Sequence, residues 1–239
     1  MVGGQNDPNY DTLSRNYISK IRPFDIVSIP GLNTKKLLGS IWSTGESPQL
    51  VPTGEPPFLI PAGKFKGDTV LDVVKNYSDA KFAGVLYGSN NRNYFNVKID
   101  PITAVSMFLK EIQALFEYSN FEAIFISTIF PRAEDINQRG ELVTNVKLFN
   151  DTLLSTKIRT SRQYLIYTKN KQEEERVLRW IPVDMTNDLP YEQMNNKKYF
   201  CHQRPDYVHF NSHYTEIYYK KLDKCIIKYK NDKNKHKKR

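Results

Sequence analysis

Cysteine is scarce: Cys201 and Cys225 are the only two in 239 residues. Two thiols in a chain this long make no disulfide framework, which excludes a stapled secreted scaffold. Two reduced thiols in an intracellular protein, cytoplasmic or nuclear, are expected instead. Long apolar runs are missing too. No stretch approaches the ~18 consecutive apolar residues that a membrane-spanning helix needs. The opening residues, Met1-Val2-Gly3-Gly4-Gln5-Asn6-Asp7, lack the charged-then-apolar order of a signal peptide. Zinc patterns are absent: no Cys-x-x-Cys and no His-Glu-x-x-His occurs. Cys201, His202, His209 and His213 lie near one another in sequence. A helix starting at a Ser212 cap would not put His209 and His213 on one face, so no metal and no cofactor is expected.

Aromatics are plentiful, with 15 Tyr and 13 Phe, so burial is expected to rely on rings as well as aliphatics. The length fits one large domain or two small ones. The net charge is +9, and residues 228–239 supply +6 of it, with seven Lys/Arg against Asp232. Residues 1–227 therefore read as one domain and 228–239 as a basic, disordered tail. Such a tail is either a solvated extension or a targeting or RNA-touching segment. Arg132, Arg139, Arg159 and Arg162, with Tyr164 and Tyr167, make a second candidate RNA-facing set.

Along the chain, strands and helices alternate. Residues 25–29 read as a strand stopped by Pro30-Gly31, and 32–41 as a short helix. Residues 43–67 hold Pro48, Pro52, Pro56, Pro57 and Pro61, and read as a surface insertion with one short strand at 57–60. A helix is expected over 70–77 and a strand over 82–87. Asp100 followed by Pro101 starts a helix to about residue 118, with Ile102, Val105, Phe108, Leu109, Ile112, Leu115 and Phe116 on one face. Residues 123–129 form a continuous apolar run that suits an interior parallel strand. A helix over 142–155, a strand over 163–167, an exposed charged segment over 170–176 and a short strand or loop at 180–183 follow. A terminal helix carries Tyr214, Ile217, Tyr218, Leu222, Cys225 and Ile226 at helical spacing. This order predicts an α/β fold with a mainly parallel sheet and helices on both faces.

In such sheets functional groups gather at the carboxyl ends of the strands. Three turns belong there: Pro30-Gly31, Gly88-Ser89-Asn90-Asn91, and Asp206-Tyr207-Val208-His209. A His with an Asp three residues earlier suits a base and its orienter. A Gly N–H and an Asn amide suit oxyanion donors, and together the set points to acyl transfer. Taken singly, Asp206 and His209 also fit an ordinary surface turn, Asn90 a self-bonded loop and Gly31 a turn glycine after Pro30.

At these residues the chain resembles the SGNH (GDSL-type) hydrolase superfamily. Val27-Ser28-Ile29-Pro30-Gly31 is similar to its second block, Leu86 to Asn91 to its third, and Asp206-Tyr207-Val208-His209 to its fifth. Residues 125–132, with Leu148-Phe149-Asn150, are similar to esterase domains carried by some retroelements. The resemblance spans about residues 20–222. It implies a flavodoxin-like three-layer α/β/α sandwich and an acyl ester substrate. It implies His209 as base, Asp206 as its partner, and Gly31 with Asn90 as oxyanion donors. The first block, Gly-Asp-Ser, is degenerate. Counting back from Gly31 reaches Gly3-Gly4-Gln5-Asn6, so Asn6 stands at the nucleophile position. An amide offers no proton whose removal makes a useful nucleophile. Only Met1 and Val2 precede that turn, so the first strand is expected to be shortened or to begin upstream. Ser14 and Ser28 are the fallback nucleophiles. The alternative is a non-catalytic RNA- or protein-binding module, resembling in kind the C-terminal domain of the germ-plasm protein Oskar.

Overall fold

The strand Ala123–Ser127 (β4) is buried at every position, and the rest of the sheet is arranged around it. It was the segment most readily expected to be interior, because an uninterrupted apolar run needs cover on both faces. The computed structural model of the chain describes residues 42–44, 50–52, 57–60, 65–77, 79–88, 99–116, 119–130, 140–155, 162–167, 173–188, 200–201, 206–210 and 212–237. In chain order the elements are β1 (Trp42–Thr44), β2 (Leu50–Pro52), α1 (Val70–Asn76), β3 (Phe82–Val85), α2 (Pro101–Phe116), β4, α3 (Gly140–Ser155), β5 (Arg162–Tyr167), β6 (Glu173–Val183), β7 (Phe200–Cys201), β8 (Asp206–Phe210) and α4 (Ser212–Lys237). The fold is mixed α/β. The main sheet runs β3-β4-β6-β5, with two parallel pairings and an antiparallel β5 at one edge. β1 pairs with β2, and β7 with β8, as separate antiparallel pairs.

Side chains alternate across β4 and so feed two cores. Ile124 and Ile126 pack with Val73 of α1, Phe108 and Ile112 of α2, and Phe149 and Leu153 of α3. Ala123 and Phe125 pack with Tyr214, Tyr218, Leu222 and Ile226 of α4. Helices therefore cover both faces of the sheet. On β3, a Cβ added at Gly84 would lie 2.6 Å from Leu222 Cδ2, so glycine there lets α4 lie close.

The caps follow from local sequence. Asp100 Oδ1 accepts from the Thr103 N–H at 2.9 Å, with Pro101 opening α2 as expected. Thr69 and Asp72 form a reciprocal capping box at the start of α1.

Several expectations are corrected. Ile102 is 74% exposed, at the margin of the apolar stripe, while Ala104, Val105 and Phe108 are buried. Residues 57–60 form no strand. Ile60 is instead buried in the core, exchanging backbone hydrogen bonds with Gly67 and Asp68, so the end of the proline-rich segment is tied down. The charged run expected as exposed begins β6 at Glu173, where it pairs only with the edge strand β5. Charge suits a sheet margin and does not prevent pairing there. Residues 206–209, expected as a turn, are a strand. The expected strand at 25–29 and helix at 32–41 lie outside the described residues.

The largest correction concerns the tail, because α4 continues through Lys237. Its second half is anchored to the amino ends of the strands. Tyr229 Oη donates to Glu122 Oε1 at 3.0 Å, and Lys233 Nζ lies 2.6 Å from the same oxygen. The Tyr229 ring also meets Phe82 and Phe125 edge-on. Residues 228–237 are thus helical rather than a disordered tail.

Burial raises the Glu122 carboxyl, but hydrogen bonds from Lys233 and Tyr229 outweigh it, holding it below its ordinary 4.5. A depressed carboxylate stabilises the fold fully above its unfolded pKa, and the gain is lost as pH falls through the folded one. Glu122→Gln is expected to cost about 1 kcal/mol at pH 7, since the pair is partly exposed. Urea denaturation should show this gap closing as pH drops below 4.5. A gap that stays constant with pH would refute the assignment.

Candidate functional site at the carboxyl ends of the parallel strands

β3, β4 and β6 run parallel, so their carboxyl ends share one side of the sheet. β3 leaves through Leu86, Tyr87 and Gly88. Gly88 is buried with φ +115°, and an added Cβ would sit 2.5 Å from Ile129 Cδ1. Both the backbone conformation and the space require glycine here. Tyr87 is fixed by two contacts on α2: its ring stacks on Phe108 at 5.7 Å, and its hydroxyl donates to Glu111 Oε2 at 2.9 Å. Glu111 is fully buried. The sequence carried a signal for it, a carboxylate within the apolar stripe of α2, that was not read as functional.

β4 leaves through Ser127, Thr128, Ile129 and Phe130, all buried. Thr128 bridges to β6, its N–H donating to Val183 O at 3.1 Å and its Oγ1 accepting from the Met185 N–H at 3.1 Å. The next residue is held by a side chain. Asn150 Nδ2 donates to Ile129 O at 2.8 Å, and Asn150 Oδ1 accepts from the Ile129 N–H at 2.8 Å. An amide making both bonds imitates a neighbouring strand, and Asn150 is itself fully buried. The two stretches singled out together, 125–132 and 148–150, thus meet through this pair.

Ser127 has no nucleophilic setting. It is fully buried and donates to the Tyr218 hydroxyl at 3.3 Å. Burial pushes that hydroxyl up to about 12, so it stays protonated at neutral pH and offers no base.

α4 runs back along the sheet, with Tyr214 meeting Phe130 at 5.8 Å near its start and Tyr229 reaching Glu122 at the other end of β4. β8 ends at Phe210 and α4 begins at Ser212. The backbone of His209 therefore lies within about 15 Å of Tyr214, the residue that meets Phe130. Of the expected site, Asp206 and His209 have a described backbone, on β8. Gly31, Asn90, Asn91, Asn6, Gln5, Ser14 and Ser28 lie outside the described residues. So do Arg132, Arg139 and Arg159.

Set against known proteins, the chain matches no family model, no curated protein and no solved structure. Among the described residues, no group of three His, Cys, Asp or Glu side chains is placed to hold a metal. Among them, too, no helix is long and apolar enough to cross a membrane. What the described residues supply at the strand ends is a rigid frame: a glycine exit, a buried amide clamp and a tyrosine–carboxylate tether.

Two substitutions test that frame. Asn150→Ala strands a buried N–H and C=O of Ile129 and is expected to cost about 3 kcal/mol in urea denaturation. A loss below about 0.5 kcal/mol would mean the clamp carries nothing. Gly88→Ala forces both a strained φ and a contact with Ile129, and is expected to lower stability by about 2–4 kcal/mol. An unchanged thermal midpoint would contradict the tight exit.

Proposed function

We propose that this chain is an SGNH-type esterase relative, a flavodoxin-like three-layer sandwich, that has lost its nucleophile. In this reading His209 is the retained base and Asp206 its orienter, while Gly31 N–H and the Asn90 amide are the oxyanion donors. Asn6 occupies the position where the attacking serine would stand. An acyl ester could be held with its carbonyl between the donors, yet no hydroxyl would be available for His209 to deprotonate.

One observation supports this most. The exit of β3 at Gly88, two residues before Asn90, packs on Ile129 at the carboxyl end of β4. The start of α4, three residues after His209, packs on Phe130 beside it. Segments next to two motifs more than a hundred residues apart in sequence thus pack at one end of one sheet, which supports a site drawn from both. The Asn150–Ile129 clamp adds support, because it ties the two remaining matched stretches to that same end. The helices covering both faces of the parallel strands agree with the sandwich.

The test is hydrolysis of p-nitrophenyl acetate by the purified chain and by its His209→Ala variant. Equal background rates in both are expected, because the base has no nucleophile to serve. A rate that falls at least tenfold in His209→Ala would overturn the reading and require a working serine elsewhere.

A further inference from the structure

We propose that the outer face of α4 binds the phosphate backbone of a nucleic-acid strand, independently of any ester chemistry at the strand ends. At 3.6 residues per turn, Leu222, Ile226, Tyr229 and Lys233 fall within about 60° of one another around α4. They form the face that docks on the sheet. Lys224, Lys228 and Lys235 fall within about 40° of one another on the opposite side. All three are exposed, and none has an ion-pair partner among the described residues.

Four other lysines of α4 are engaged within the fold. Lys220 pairs with Glu216 at 2.6 Å, Lys221 with Asp188, and Lys233 with Glu122, while Lys230 lies 4.9 Å over the Phe82 ring. The three outward lysines are therefore left over from docking the helix. Docking also holds them in line, over about 16 Å of axis. A nucleic-acid strand carries roughly one charge per 3.4 Å of axis, so that length spans several phosphates.

The chemistry favours phosphates over other partners. Ammonium groups act as point charges toward phosphate oxygens and read no base edges. An anionic membrane would need an apolar strip to enter the acyl region. Among the described residues of α4, Ile227, at 38%, is the one large apolar side chain that is exposed. Binding is thus sequence-independent and electrostatic.

The probe is a fluorescein-labelled 20-nucleotide uridine RNA, titrated by anisotropy at several salt concentrations against the full chain. The comparison is the triple variant Lys224→Gln, Lys228→Gln, Lys235→Gln, which spares every docking residue. Each lost contact removes about 0.7 from the slope of log affinity against log salt, so the slope should flatten by about 2. At 0.1 M salt that amounts to about 100-fold weaker binding. Circular dichroism and thermal melting should be unchanged in the variant. Equal slopes and affinities within twofold would overturn the proposal. So would a wild-type slope near zero, or binding to 30% phosphatidylserine vesicles with none to the RNA.

Discussion

The structure depends on covering both faces of β4. Its five residues are all buried, and they cannot be so unless helices close over the sheet from two sides. The side carrying Ile124 and Ile126 is closed by three helices, and the side carrying Ala123 and Phe125 by α4, from Tyr214 to Tyr229. That demand explains features that look unrelated in sequence. Gly84 has no side chain because Leu222 needs the space, and Gly88 has none because Ile129 does. The length of α4 follows as well, since one helix must run from Phe130 at one end of β4 to Glu122 at the other.

The same demand creates a polar problem at the carboxyl end, where β4 leaves its neighbours. Buried N–H and C=O groups that lose a strand partner must find another. The Thr128 N–H finds Val183 O at the end of β6, and Ile129 finds the amide of Asn150. The strand exit is held by a side chain from a distant segment, Asn150, and not by sheet pairing alone. A frame of that kind keeps neighbouring loops in register with one another, which any site assembled from several strand ends needs.

Legibility in the sequence followed how local the cause was. The run 123–127, the Asp100-Pro101 start and the helical spacing of Tyr214, Tyr218 and Leu222 were all readable, because burial and capping leave short periodic marks. The edge pairing of Glu173 with Tyr167 was not, since a charged run marks solvent without marking the strand that can still pair there. The helical end of α4 was hidden for a similar reason. Its lysines suggested solvent, while its anchors, Tyr229 and Lys233, depend on a carboxylate more than a hundred residues earlier. Asn150 was noticed by resemblance alone. Its role as a substitute strand exists only once β4 and α3 are adjacent. For the candidate site, the sequence nominated His209, Asp206, Gly31, Asn90 and Asn6. The described structure speaks to Gly88, Ile129, Phe130 and the first turn of α4, and to the backbone of Asp206 and His209.

α4 also sets how its two ends relate. A helix of 26 residues is about 39 Å long. Its first turn lies near the strand exits, and its outward lysines begin about 18 Å further along with Lys224 and extend away from that end. A small acyl ester of the kind proposed, held at the strand ends, would not reach them. A polyanion lying along the lysines meets neither Gly88 nor Ile129. The helix is also packed against the sheet along most of its length, so it has no room to tilt and pass a signal by rigid-body motion. The physical expectation is two independent surfaces on one rod, each free to be lost without the other. On the proposed reading, loss of the nucleophile would leave the core and the charged face of α4 intact.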